Sequence, residues 1–392
     1  MRNIKDEFNL KQKKILLRLD LNVPLDNGRI TDPTRIDKIL PTINFLLKND
    51  SKIIILSHVG RPKGKVVNEL SLKPICEDLK KKLNENIKLI TKSLKEIDSK
   101  DLFINEGEKV VMLENLRFHK EEEENSNEFA KHLASLADIY VNDAFSCSHR
   151  AHASIFEITK FLPSYAGLQL NSEINALTKI TSEIKKPITC IIGGSKISTK
   201  INIIKNLIPK FDNIIIVGGM ANNIIKYRGY NIGKSIQEDN CDKIIEEIFF
   251  LSNKHNCKIV YPEDFAVSKD LNGSSEIKGF NDVLEDDLIL DIGPKSIKNI
   301  NNIIEESSTI LWNGPAGYFE NTNFAKGSIA IAKKIIEKNK TNTIFSVAGG
   351  GDTVALLNSM SADNNFNFVS TAGGAFLEYL EGKELPGIKA LN

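Results

Sequence analysis

The stretch KILLRLDLNVPL, residues 14–25, alternates apolar and polar side chains until a proline interrupts the pattern. Side chains two positions apart on a strand point to the same face, so Arg18, Asp20 and Asn22 are expected to share one side. The pattern predicts a buried strand that finishes with a cation, an anion and an amide. Ligands of parallel sheets bind beyond the carboxyl ends of the strands, which makes this end a candidate binding position.

Further apolar runs follow, separated by Lys-, Glu- and Asn-rich stretches of helical character. They read KIIILSHVG, NIKLIT, KVVMLENL and DIYVND in the first half, and ITCIIGG, NIIIVGG, CKIVYP, LILDIG, TILWNGP and TIFSVAGGGD in the second. Continuous β-branched runs separated by helix-length segments predict parallel strands with both faces covered. The predicted fold class is α/β, with two doubly wound parallel-sheet (Rossmann-like) domains joined by an interdomain helix.

The length of 392 residues is too great for one hydrophobic core and predicts two domains. A helical pattern after FLPSYAG, closed by Pro187, is suited to connect them rigidly. The predicted boundaries are 1–166 for the first domain, 167–184 for the connecting helix, 185–376 for the second domain, and 377–392 for a tail that packs back on the first.

The composition restricts the partners and the compartment. Basic and acidic residues nearly balance, 52 against 51, which gives no electrostatic reason to expect nucleic acid or an anionic membrane as a partner. The five cysteines are scattered without a CxxC pair, which favours free thiols over a disulfide frame or a zinc site. We find no signal-peptide pattern and no window of transmembrane length, and therefore expect a cytoplasmic protein.

Arginine is scarce, and seven of the eight arginines lie in the first 150 residues. Arginine is the preferred cation where a planar fork must meet carboxylate or phosphate. For any single arginine, pairing with a nearby surface carboxylate is at least an equal interpretation. For several arginines at predicted strand ends and helix entries, a site for a small polyanion is the favoured interpretation. These arginines are Arg35, Arg61, Arg117 and Arg150, and His58 lies at one of the same strand ends.

Two local features have alternative interpretations. His58, His149 and His152 could be metal ligands, but their spacing is loose, so histidine in a polyanion pocket is the simpler interpretation and a general base remains open. The acidic run at 121–124 is typical of a solvated helix start.

Glycines replace arginines at the predicted strand ends of the second half. They occur as Gly193-Gly194, Gly218-Gly219, Gly314 and Gly349 to Gly351. Glycines between a strand and a helix let backbone N–H groups approach phosphate oxygens. Lys196 and Lys200, four apart on the predicted following helix, would add positive charge. Asp352 could hold Mg²⁺ on a bound nucleotide or serve as a helix N-cap, and the local pattern does not separate these roles.

Other nucleotide-binding and ligand-binding classes lack support. GYNIGKS, residues 229–235, has three residues between its glycines where a Walker A motif has four, and no strand precedes it. A two-domain NAD(P) dehydrogenase would need a GxGxxG motif early in a βαβ unit, and none occurs. A non-catalytic two-lobed binding protein would usually carry a secretory signal.

The chain resembles the phosphoglycerate kinase family over nearly its whole length. The motifs that carry the resemblance are RLDLNVP, SHVGRP, LENLRFH, DAFSCSHRAHAS, GGSKISTK, WNGPAGYFE, GGGDT and STAGGAFLEYLEG, in the order of the family. The resemblance implies a monomer that transfers a phosphoryl group reversibly from 1,3-bisphosphoglycerate to MgADP, giving 3-phosphoglycerate and ATP in glycolysis. The acceptor needs no general base, so catalysis would rest on domain closure and charge neutralisation.

The resemblance also implies two sets of site residues. The substrate set is Asp20, Asn22, Arg35, His58, Arg61, Arg117 and Arg150. The nucleotide set is Lys196, Lys200, Gly218, Gly219, Asn313, Glu320, Gly350, Gly351, Asp352 and Thr353, with Asp352 holding Mg²⁺ and Glu320 the ribose. Arg35, Lys196, Gly350 and Gly351 would act on the transferring phosphoryl group, and Arg18 would orient the substrate residues.

The sequence departs from the family pattern at two places. Ser146-Cys147-Ser148 stands where the family usually has Gly-Thr-Ala, and Ala372 stands where it often has Gly. Neither departure replaces a residue of the two sets. They leave loop packing and hinge behaviour open.

Overall fold

The computed structural model describes all 392 residues, which divide into two compact units. The first unit comprises Met1–Ile174 and Glu384–Asn392, and the second comprises Asn175–Lys383. The C-terminal residues therefore belong to the first unit, although the chain reaches them only after completing the second. None of the helices combines the length and the apolar character that crossing a membrane requires.

The first unit is built on a six-stranded sheet with the order β5-β6-β4-β1-β7-β8, in which every neighbouring pair is parallel. Its strands and those of a small hairpin are β1 (Lys14–Leu19), β2 (Leu25–Asp26), β3 (Arg29–Ile30), β4 (Lys52–Leu56), β5 (Ile87–Ile90), β6 (Val110–Leu113), β7 (Ile139–Asp143) and β8 (Ser164–Ala166). Its helices are α1 (Thr34–Lys48), α2 (Lys73–Leu83), α3 (Lys120–Glu123) and α4 (Asn127–Ala134), and α5 (Leu168–Thr181) spans the division between the units.

The alternation in β1 fills two separate cores. Ile15 and Leu17 pack in one apolar cluster with Ile36 of α1. Leu16, which points to the other face, packs in a second cluster with Phe129 of α4. A strand that is buried on both faces belongs in the middle of a doubly wound sheet, and β1 is hydrogen-bonded to β4 on one side and β7 on the other.

The second unit repeats this architecture with the strand order β11-β10-β9-β15-β16-β17, again parallel throughout. Its strands are β9 (Ile188–Ile192), β10 (Asn213–Ile216), β11 (Lys258–Val260), β12 (Asp264–Ser268), β13 (Glu276–Gly279), β14 (Leu288–Ile292), β15 (Thr309–Asn313), β16 (Phe345–Gly349) and β17 (Phe368–Ser370). Its helices are α6 (Ile201–Leu207), α7 (Gly219–Tyr227), α8 (Asp242–His255), α9 (Pro294–Glu306), α10 (Lys326–Lys340), α11 (Gly351–Ser359) and α12 (Gly374–Leu380); α13 (Pro386–Lys389) belongs to the first unit.

The prediction that the run LILDIG forms a parallel strand was wrong. The run LILDIG forms β14, which pairs antiparallel with β12 in a separate three-stranded sheet of order β13-β12-β14. Its first three residues, 288–290, are only half-buried, as is usual where one face of an antiparallel sheet is open. The prediction of two doubly wound parallel sheets is confirmed by the rest of the fold.

Candidate active site

Four consecutive strands of the first sheet end near the predicted substrate residues. In the order β6-β4-β1-β7 these strands are neighbours, so their carboxyl ends lie side by side along one sheet edge. Arg35 comes from the first turn of α1, next to the segment that follows β1. The residues just beyond the four strand ends include Arg117 after β6, His58 and Arg61 after β4, Asp20 and Asn22 after β1, and Arg150 after β7.

Asp20 and Arg35 form the central ion pair of this edge. Arg35 Nη1 lies 3.0 Å from Asp20 Oδ2 and also donates to the main-chain oxygen of Asn22 at 3.1 Å. The Asn22 amide donates to Asp20 Oδ1 at 3.2 Å. Strand β1 therefore ends at Leu19, one residue before Asp20, and Asp20 and Asn22 lie in a turn tied to α1 instead of continuing the predicted strand.

The turn after β4 is held by two further members of the set. Asn22 Oδ1 accepts a hydrogen bond from the Gly60 amide at 2.9 Å. Arg117 Nη1 donates to the Gly60 carbonyl oxygen at 2.9 Å, and Arg117 Nε lies 3.6 Å from Glu123. Gly60 thus links the ends of β1, β4 and β6 through both of its backbone polar groups.

His58 is held as a neutral hydrogen-bond donor. Arg18 Nη2 lies 3.0 Å from His58 Nδ1, and a guanidinium can only donate, so Nδ1 accepts and the ring proton is on Nε2. Burial and the positive charge of Arg18 keep the pKa of His58 well below its usual value. A ring that is neutral and already accepts at Nδ1 has no acceptor left for a substrate proton, which argues against the general-base alternative.

Arg18 is itself held by a buried network that the sequence did not reveal. Its side chain is 1% exposed and its Nε donates to Ser154 Oγ at 3.0 Å. Ser154 Oγ donates in turn to Glu122 Oε1 at 2.6 Å. Burial raises the pKa of Glu122 and the nearby Arg18 opposes that rise. The prediction that the acidic run is solvated was therefore wrong at Glu122, which is 1% exposed.

Arg61 and Arg150 are exposed and lie outside this bonded group. Arg150 Nε donates to His149 Nε2 at 3.1 Å, and no ion pair involves Arg61. His152 is buried, and burial together with the neighbouring arginines lowers its pKa to about 3. No group of three or more His, Cys, Asp or Glu side chains in the structure is arranged to hold a metal ion.

Close backbone packing explains two of the glycines at the strand ends of the second unit. The Cβ of any larger residue at position 193 would lie 2.3 Å from the Pro315 carbonyl oxygen. At position 314 it would lie 2.3 Å from the Gly193 carbonyl oxygen. The segments that follow β9 and β15 can approach this closely only because both positions lack a side chain.

Lys200, Asn313 and the glycine turn after β16 form one connected group. Lys200 Nζ donates to Asn313 Oδ1 at 2.6 Å, and Asn313 Nδ2 donates to the Gly349 carbonyl at 2.7 Å. Burial lowers the pKa of Lys200, while the carboxylate of Asp352 opposes this effect. Thr353 Oγ1 accepts from the Gly314 amide at 2.7 Å, which joins the group to the end of β15.

The first residues of two helices test the predicted positions of Asp352, Lys196 and Lys200. Helix α11 begins at Gly351 with Gly350 as its N-cap, so Asp352 is an exposed residue of the first turn and not the N-cap. Helix α6 begins only at Ile201, so the prediction that Lys196 and Lys200 lie on this helix was wrong. Lys196 is an exposed loop residue, and Lys200 immediately precedes the helix.

A cavity of about 460 Å³ in the second unit is lined by four of the ten residues of the nucleotide set. Apolar side chains such as Phe265 and Leu290 form one part of its wall. The rejected GYNIGKS segment contributes Lys234 and Ser235, although it forms no phosphate-binding loop of the Walker type. The predicted residues that line the cavity are Gly218, Gly219, Glu320 and Asp352.

An arginine-rich strand edge in one unit and a glycine-lined cavity in another are the features of an enzyme that handles phosphorylated ligands. Residues 5–383 match the family model described as phosphoglycerate kinase. The chain belongs to the phosphoglycerate kinase family and is a transferase.

Relatives of known name agree with this assignment along the whole chain. A phosphoglycerate kinase of Wolbachia pipientis subsp. Culex pipiens is 47% identical over 387 residues, covering 98% of each chain. The solved structure of phosphoglycerate kinase from Coxiella burnetii has a TM-score of 0.90 at 39% identity and covers 99% of this chain and 98% of its own. That from Pyrococcus horikoshii OT3 has a TM-score of 0.84 at 28% identity, with 100% and 98% covered.

Proposed function

We propose that this chain transfers a phosphoryl group reversibly from 1,3-bisphosphoglycerate to ADP, giving 3-phosphoglycerate and ATP. Family membership gives the glycolytic phosphoglycerate kinase activity and its small-molecule substrates. The observation that carries the finer assignment is the alignment of the ends of β6, β4, β1 and β7, which gathers cations and a neutral histidine at one edge. We also propose a cytoplasmic monomer with the domain boundaries predicted from the sequence.

The phosphoglycerate half of the site consists of the first unit's strand ends. Arg35, Arg117, Arg61 and Arg150 provide positive charge for the phosphate and carboxylate groups. His58 offers its Nε2 proton to a substrate oxygen, because Arg18 occupies Nδ1. Asp20, with Asn22 beside it, accepts from the glycerate hydroxyl, since an ionised carboxylate can only accept hydrogen bonds.

The nucleotide half consists of the second unit's cavity and the turn that precedes α11. The first N–H groups of an α-helix have no partner within the helix, so the amides at 350–353 are suited to phosphate oxygens. Lys196 and Lys200 follow β9, and Asn313 is the last residue of the neighbouring strand β15. These three residues contribute charge and hydrogen bonds. Gly218 and Gly219 leave room for the nucleotide, and Glu320 accepts from the ribose hydroxyls.

The residues present are suited to a magnesium nucleotide. Mg²⁺ is usually held by one or two carboxylates together with substrate phosphates, and Asp352 is an exposed carboxylate beside the glycine turn. When bound, the ion would neutralise phosphate charge. Asp352 would hold it, while Lys200 and the turn amides contact the phosphates directly.

The reaction breaks the bond between the acyl oxygen and phosphorus and forms a bond from phosphorus to a β-phosphate oxygen of ADP. Both the attacking and the leaving oxygens are anionic, so no proton has to move. Catalysis therefore depends on alignment and on neutralising the transferring group, which we assign to Arg35, Lys196 and the Gly350 and Gly351 amides. Since these groups belong to different units, we propose that substrate binding closes the two domains.

A coupled assay of ATP formation tests the proposal directly. Replacing Arg35 by alanine is expected to lower kcat by roughly 10²–10³, the usual effect of losing one donor to the reacting group. Arg29→Ala is the matched control, because Arg29 is an exposed arginine of β3 outside the proposed set. Absence of ATP formation by the unaltered chain would contradict the function, and an Arg35→Ala rate equal to that of Arg29→Ala would contradict the role of Arg35.

A further inference from the structure

Ser146 contacts the carboxylate that we assign to the glycerate hydroxyl. It lies beyond β7, in a single 3₁₀ turn formed by Phe145–Cys147. Its Oγ donates to Asp20 Oδ2 at 2.5 Å, across 126 positions of sequence. Asp20 is 8% exposed, so this hydrogen bond is largely shielded from water.

The hydrogen bonds of Asp20 show what this hydroxyl adds. Oδ1 accepts from the Asn22 amide and from Arg35 Nη1, both at 3.2 Å. Oδ2 has Arg35 Nη1 at 3.0 Å and the Ser146 hydroxyl at 2.5 Å. Ser146 is thus the side chain that supports Asp20 in addition to Arg35, and it does so without carrying a charge.

The turn that carries Ser146 is fixed by its surroundings. The Ser148 amide donates to the Phe145 carbonyl at 2.9 Å, which closes the turn. The Gly387 amide donates to the Ser148 carbonyl at 2.9 Å, so α13 also packs against this turn. A larger residue at 387 would place its Cβ 2.9 Å from Ser148 Cα. Ser146 is therefore presented to Asp20 by backbone with little freedom to move.

We propose that Ser146 is a positioning residue for phosphoglycerate, acting through Asp20; this inference rests on the proposed function. Arg35 has two tasks in the reaction, because it pairs with Asp20 and must also meet the transferring phosphoryl group. Asp20 therefore needs a second support that does not depend on Arg35. The Ser146 hydroxyl holds Asp20 Oδ2 in the free chain, in the 3-phosphoglycerate complex and during transfer alike, so that Asp20 accepts from the glycerate hydroxyl from the moment of binding.

The Ser-Cys-Ser segment, residues 146–148, contains a second serine that serves as a comparison for Ser146. Ser148, the other serine of that segment, donates its side-chain hydrogen bond to the Ala144 carbonyl at 3.2 Å and not to a residue of the substrate set. The two serines are therefore a matched pair, one directed at the site and one within the turn.

Steady-state kinetics in the direction of 3-phosphoglycerate and MgATP separate positioning from a structural role. Ser146→Ala is expected to raise the KM for 3-phosphoglycerate about three- to tenfold, the usual effect of losing one hydrogen bond to a charged group that stays partly supported. The value of kcat should stay within about twofold and the KM for MgATP should not change. Ser146→Thr, which keeps the hydroxyl, should restore the KM for 3-phosphoglycerate, and Ser148→Ala should leave it unaltered.

Equilibrium titration with 3-phosphoglycerate alone provides a second measure, in which Ser146→Ala should weaken binding by the same factor. The inference is overturned if Ser146→Ala and Ser148→Ala have the same KM for 3-phosphoglycerate, or if the KM for MgATP rises equally. If Ser146→Ala does not fold, Ser146→Gly replaces it under the same criteria. An inactive wild type would instead contradict the proposed function, so the two failures are distinguishable.

Discussion

At the level of single residues, the clearest finding is how the buried charge of Arg18 is balanced inside the first unit. Arg18 contacts His58 on one side and Ser154, which binds Glu122, on the other. The sequence predicted that Arg18 would orient the substrate residues, and Arg18 is hydrogen-bonded to one of them, His58. The sequence did not predict that Glu122 belongs to this network, because a run of four glutamates has no feature that separates the one buried residue from its solvated neighbours.

The buried His152 predicts a stability that depends on pH. Its pKa is about 3 in the folded chain and about 6.5 when unfolded, so the unfolded state binds the extra proton below pH 6.5. The contribution of His152 to the free energy of unfolding is therefore fully present above pH 6.5 and is lost as the pH falls toward 3. Asp143, whose pKa burial raises to about 6, contributes with the opposite sign, so the test must compare variants instead of reading one curve.

We expect His152→Gln to reduce this acid sensitivity. Between pH 6.5 and pH 5, the free energy of unfolding of the unaltered chain should fall relative to the variant by about 1.6 kcal/mol in total, because the unfolded histidine is half protonated at pH 6.5 and almost fully protonated at pH 5. Urea denaturation at several pH values measures this difference. Parallel curves for the two proteins would show that His152 is not held neutral in the folded state.

Secondary-structure elements were predicted well where the pattern was long and uniform. The central strands β1, β4, β9 and β15 follow from continuous apolar runs between helical stretches. The three-residue edge strands β8 and β17 were not predicted, because neither lies in a recognised apolar run, whereas the equally short β11 lies in the run CKIVYP. LILDIG was assigned to the wrong sheet, since periodicity indicates a strand but does not identify its partners.

The turn between β16 and α11 gives a prediction at the scale of elements. Gly350 has φ +97°, and a Cβ there would lie 2.5 Å from Asn313 Nδ2, whereas a Cβ at Gly351 would meet nothing within 4 Å. Gly350→Ala is therefore expected to lower the free energy of unfolding by about 1–3 kcal/mol. Gly351→Ala should leave it unchanged or raise it by up to about 1 kcal/mol, since alanine favours helix.

Urea denaturation of the two alanine variants beside the unaltered chain measures this contrast. Equal stability of the two would contradict the close packing of Gly350 against Asn313. The sequence indicated glycines at this strand end but could not separate these neighbours, because only the folded turn distinguishes a left-handed residue from one that opens a helix.

At the scale of the whole molecule, the two halves of the proposed site belong to different compact units. The sequence predicted both halves, since arginine concentrates in the first part of the chain and glycine-rich strand ends in the second. The sequence did not predict that Ser146 is hydrogen-bonded to Asp20, because these two residues lie 126 positions apart. Contacts of that kind depend on the order of strands in the sheet, which no local pattern specifies.

Small-angle X-ray scattering with and without both substrates tests most directly the claim that the two halves act on one reaction. The radius of gyration should decrease when 3-phosphoglycerate and MgATP are both present, and change less with either one alone, because only the pair links the arginine edge to the glycine-lined cavity. Identical dimensions in all four conditions would contradict domain closure and the shared site.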